Sequence, residues 1–64
     1  MKNILKELRT SKGLSQAALA SILSVSRQTV NSIENGKFDP SLTLAIKLTH
    51  CFKLPIDKIF IYED

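Results

Sequence analysis

Residues 16–35 read QAALASILSVSRQTVNSIEN, and the spacing of their apolar positions decides the fold. Leu19, Ile22 and Leu23 recur on one helical face, Ser24-Val25-Ser26 interrupts them, and Val30 and Ile33 resume the same period. The stretch predicts two short amphipathic helices joined by a turn too tight to be a general-purpose loop. Ser15 and Ser26 precede the two helices and are placed to accept an orphan main-chain N–H. Neither has Glu or Gln at the third helical position, so these are plain caps rather than capping boxes. Ala20 is small where the two helices would cross, and Val25 can plug the turn. The other face of the second helix carries Arg27, Gln28, Asn31 and Asn35 and is the candidate working surface.

Working outward, Lys2 to Lys12 has Ile4, Leu5 and Leu8 on one face and predicts a first helix, closed by Gly13 in the left-handed conformation. On the other side, Glu34-Asn35-Gly36-Lys37 stops the third helix, and Phe38, Asp39 and Pro40 form a short loop. Ser41 then caps a fourth helix whose apolar stripe is Leu44, Ala45, Leu48, Cys51 and Phe52. Leu54-Pro55 breaks it, and Pro55 predicts the first residue of a fifth helix with Ile56, Ile59 and Phe60 apolar. The tail Ile61-Tyr62-Glu63-Asp64 has weak strand or coil character. The expected fold class is all-α: one compact five-helix domain over residues 1–64, with room for a short C-terminal strand.

Composition narrows the function classes. A chain of 64 residues with 44% hydrophobic content supports one small ordered core and little room for a cleft. One cysteine cannot form an internal disulfide, which points to a reducing, cytoplasmic setting. The longest apolar runs are three or four residues, against roughly 20 needed to span a bilayer, so no membrane role is expected. The net charge of +3 suits a polyanionic partner, and equally suits ordinary solubility. His50 and Cys51 are neighbours on a helix and point about 100° apart, and two ligands do not make a zinc site. The carboxylates are scattered, with no nucleophile–base pair and no glycine-rich phosphate loop. An enzyme is not expected, nor a metal, cofactor or small-molecule ligand.

The segment from Gln16 to Asn35 resembles the helix-turn-helix of the Cro/C1-type repressors, the XRE family. The flanks Leu14-Ser15-Gln16, Ser26-Arg27-Gln28-Thr29 and Ile33-Glu34-Asn35-Gly36-Lys37 match the family's usual wording, and the likeness runs over roughly residues 3 to 60. The resemblance implies a lambda-repressor-like fold whose third helix enters the major groove of double-stranded DNA while the second lies across the phosphates. It implies base contacts from Arg27, Gln28 and Asn31: Arg bridges guanine O6 and N7, while Gln or Asn bridges adenine N6 and N7. Gln16 matches a glutamine that in the family holds a phosphate and braces the first residue of the third helix. Here that residue is Arg27 rather than the frequent Gln, which weakens the bracing role and leaves the phosphate role. Thr29, Asn35 and Lys37 would complete the phosphate contacts, and Arg9 and Glu34 would form a structural ion pair. The family usually has Gly at the first turn position, where this chain has Ser24; a serine held there at positive φ costs about 1 kcal/mol.

One module with three base-reading residues buries too little surface for tight specific binding, so a homodimer on a palindromic site is expected, with its third helices about 34 Å apart. The richest self-association surface is Ile56, Ile59, Phe60, Ile61 and Tyr62; the alternative is that these residues close the monomer core. The tail would pair as a strand either with Met1 to Asn3 or with its twofold mate. The function expected is a sequence-specific transcriptional regulator, a small dimeric repressor. The alternative is a protein-interaction module, such as an antitoxin-like partner using the C-terminal apolar surface.

Overall fold

The computed structural model describes residues 1–63, so of the tail's four residues Asp64 lies outside. In chain order the elements are β1 (Lys2–Asn3), α1 (Leu5–Ser11), α2 (Gln16–Leu23), α3 (Arg27–Glu34), α4 (Leu42–Phe52), a 3-10 turn (Ile56–Lys58) and β2 (Phe60–Ile61). The two helices of the quoted segment form as read, with Ser24-Val25-Ser26 between them. Three serines start helices by the expected means. The side chains of Ser15, Ser26 and Ser41 accept the N–H of Ala18, Thr29 and Leu44 at 3.0, 3.1 and 3.2 Å. Gly13 follows α1 at φ 70, a left-handed geometry that lets the chain turn into α2.

Two expected boundaries are corrected. The first helix begins at Leu5, not Lys2, because Lys2 and Asn3 are drawn into an antiparallel ribbon opposite Ile61 and Phe60. Asn3 enforces the change locally. Its Oδ1 accepts the N–H of Leu5, the first residue of α1, at 3.0 Å, while its Nδ2 donates to the Ile33 carbonyl at 2.8 Å. The fifth helix does not form: after Pro55 there is a single 3-10 turn over Ile56–Lys58, and then the chain joins β2. The Ile59 carbonyl that a helix would use internally accepts instead from the N–H of Ile4 at 3.0 Å. Among the described residues the result is four α-helices and a two-stranded ribbon, with the tail paired to the chain's own N-terminal strand.

Leu5, Leu19, Leu23, Val30, Ile33, Leu48 and Ile59 are sealed from solvent, joined by Ala20, Leu44, Phe52 and Phe60. Leu8, Val25 and Cys51 pack on their edge. Ile22, expected on the apolar face with Leu19 and Leu23, is instead 56% exposed. Leu19 and Ala20 are buried as expected and with Leu23 fix the inner face of α2, and Ile22 lies about 100° away from Leu23. Among the described residues no helix is long and apolar enough to cross a membrane.

Candidate nucleic-acid interface

The interface is built from the ion pair outward. Arg9 on α1 forks onto Glu34 at the end of α3, Nε to Oε2 at 2.6 Å and Nη2 to Oε1 at 3.2 Å, and its Nη1 donates to the Leu14 carbonyl at 2.8 Å. The two side chains are 10% and 3% exposed. A planar fork is suited to this task, since it satisfies a buried carboxylate at both oxygens. Burial alone would raise the Glu34 carboxyl, but the hydrogen bonds from Arg9 and Gln16 and the charges of Arg9 and Lys6 outweigh it and hold it below the usual carboxylate range. The bond to Glu34 likewise raises Arg9 against the effect of burial.

Gln16, the first residue of α2, extends this pair to the surface. Its Nε2 donates to Glu34 Oε1 at 3.0 Å and to Asn31 Oδ1 at 3.1 Å. The family resemblance would send this amide to Arg27; here it goes one turn further along α3. Gln16, Arg27, Gln28 and Asn31 surround one shallow hollow on the outer side of the two helices. Arg27, Gln28 and Asn31 are all exposed on α3.

A second hollow adjoins the first and shares Gln28 with it. Its other walls are Ser26, Thr29, Ser32, Lys37 and Phe38. Thr29 is half-buried here, its hydroxyl 2.9 Å from that of Ser26, while Lys37 is exposed. Asn35 is exposed at the far end of α3 and lines neither hollow. Phe38, expected only as part of a short loop, is 48% exposed beside Lys37. The available signal was an aromatic directly after Lys37 in a segment with no periodicity to bury it.

At the C-terminal end the five residues expected to face a partner divide. Ile59 and Phe60 are in the monomer core, at 0% and 7% exposure, because the ribbon folds them inward. They are withdrawn from the docking surface. Ile56, Ile61 and Tyr62 remain outside, at 45%, 39% and 76% exposure.

The helix-turn-helix family model HTH_3 matches residues 5–59. The chain is 55% identical to an uncharacterised HTH-type transcriptional regulator of Methanocaldococcus jannaschii, over 100% of this chain and 97% of that protein. It is 44% identical to another such regulator of Bacillus subtilis, with the same coverage. Among solved structures it resembles the restriction-modification controller protein C.AhdI of Aeromonas hydrophila, with a TM-score of 0.74 and 37% identity over 84% of this chain and 82% of that one. It also resembles a transcriptional regulator of Listeria innocua, with a TM-score of 0.85 and 26% identity over 100% of this chain and 64% of that one.

Proposed function

The chain belongs to the helix-turn-helix family of the Cro/C1 type, a family of transcriptional regulators rather than enzymes, and we propose that it is a sequence-specific repressor that binds double-stranded DNA as a homodimer in the cytoplasm. The observation that carries the reading is the exposed row Arg27, Gln28 and Asn31 on α3, beside the N-terminus of α2. Laid in the major groove, that row meets base edges, with Arg27 matched to a guanine and Gln28 to an adenine. Two helix N-termini, with their partial positive charge and free N–H groups, lie near the flanking phosphates. Gln16, Thr29, Asn35 and Lys37 serve as phosphate contacts, which fix register without reading sequence. Arg9 and Glu34 act from behind, locking α1 to the end of α3.

Dimerisation would place two such rows on a palindromic operator, and Ile56, Ile61 and Tyr62 offer the apolar surface for it. Binding to a promoter would then repress by occlusion. Selection from a random duplex pool, followed by binding measured against salt, tests the scheme. We expect a palindromic site, affinity that falls steeply with salt, and discrimination at one base pair of each half-site weakened by about 1–3 kcal/mol in Arg27→Ala or Gln28→Ala. Equal affinity for random and selected duplex would defeat the regulator reading. A monomer by sedimentation at micromolar concentration, with and without the selected site, would defeat the dimer.

A further inference from the structure

The Gln16 amide lies between two acceptors whose identities are fixed from one end. Arg9 forks onto Glu34, and an ionised carboxylate only accepts, so the Gln16 atom 3.0 Å from Glu34 Oε1 is the NH2 nitrogen. The same nitrogen lies 3.1 Å from the side chain of Asn31, so the Asn31 atom that faces it is the acceptor, Oδ1. Side-chain amides ordinarily choose between two flips; here one buried ion pair chooses for both. Asn31 is left with its Nδ2, a donor, free at the exposed end of the row. Both hydrogens of Gln16 Nε2 are committed, so a phosphate contact from Gln16 falls to its main-chain N–H, which as the first of α2 has no helical partner.

We propose that Gln16 is a specificity-positioning residue: by holding Asn31 Oδ1 it leaves the donor Nδ2 to meet the groove, and so selects guanine, which presents two acceptors there, over adenine, which presents one acceptor and one donor. A free asparagine pairs with adenine by accepting from N6 and donating to N7 at once. With Oδ1 turned toward Gln16, the bond from adenine N6 is lost and only adenine N7 still suits the donor, whereas guanine N7 and O6 both do. The inference rests on the reading of α3 as the base-reading helix.

Sites are selected from a random duplex pool with the full chain as wild type, Asn31→Ala and Gln16→Met. The Asn31→Ala selection locates the base pair that Asn31 reads, as the one whose preference is lost. Methionine keeps the length of Gln16 and donates nothing, so in Gln16→Met the Asn31 amide is free to flip. At that base pair we expect wild type to favour guanine, and Gln16→Met to lose about fivefold or more of its discrimination against adenine, the lower end of the value of one good base contact. Preferences at the pairs read by Arg27 and Gln28 stay as they were. Thermal melting checks that the variant folds, and if it does not, Gln16→Asn, one methylene too short to reach both acceptors, replaces it with the same expectation. Any base other than guanine preferred by wild type at that pair, or unchanged discrimination in a folded variant, overturns the inference and leaves the DNA-binding reading intact. Failure of the wild type to select any site overturns both.

Discussion

Ser24 closes α2 at φ 59 and ψ 41, a region where a residue with a Cβ is strained by about 1 kcal/mol. The geometry is used well: the N–H groups of Ser24 and Val25 return to the Ser21 and Ala20 carbonyls at 3.2 and 3.0 Å, satisfying the end of the helix. Its 41° and 59° torsions are what turn the chain sharply enough for Ser26 to start α3. Glycine meets the same torsions without strain, so Ser24→Gly should raise stability by about 0.5–1 kcal/mol, seen as a higher urea midpoint with an unchanged slope. A lower midpoint would mean that the serine side chain contributes something its exposed position does not suggest. Lys53 closes α4 in the same left-handed region at φ 55, so among the described residues Ser24 is one of two non-glycine sites there.

The Arg9–Glu34 pair links α1 to the end of α3, and through Gln16 it reaches α2 as well. Three helices thus share one buried carboxylate. Because the Glu34 carboxyl is held below its ordinary value in the folded chain, its contribution to stability is present above the unfolded value of about 4.3 and is lost as pH falls through the lower folded value. Urea midpoints measured from pH 6 downward should therefore fall in the wild type, and Glu34→Gln should flatten that part of the curve while lowering stability at pH 6. An equally steep fall in Glu34→Gln would assign the acid loss to other carboxylates. The elements themselves were largely legible in the residues: period and serine caps gave α2, α3 and α4. What local pattern could not supply was the ribbon. Lys2 and Asn3 read as the start of a helix because their competing partners, Phe60 and Ile61, stand at the other end of the sequence. The loss of the fifth helix has the same cause. For the candidate interface, the row Arg27, Gln28 and Asn31 followed from spacing and resemblance, whereas the Gln16–Asn31 bond depends on a side-chain geometry that spacing does not encode.

For the molecule as a whole, core and surface divide the C-terminal end in a way composition could not announce. Ile59 and Phe60 complete the interior, so any twofold contact there would rest on Ile56, Ile61 and Tyr62. The ribbon that buries those two residues also has a kinetic meaning. Lys2 meets Ile61 and Asn3 meets Phe60, so forming it closes a loop of nearly the entire chain, while each helix forms from neighbours. Contacts so distant in sequence close late and open early. Asn3 is its fastener, bonded to Met1, Leu5 and Ile33 at 3.1, 3.0 and 2.8 Å. Asn3→Ala should raise the unfolding rate by about fivefold, matching a loss of about 1 kcal/mol, and leave the refolding rate nearly unchanged in a stopped-flow chevron. A slower refolding limb would instead put the ribbon in the nucleus. On the expected outcome the ribbon acts as a clock on the native state, and two residue pairs far apart in sequence set the lifetime of the assembled candidate interface.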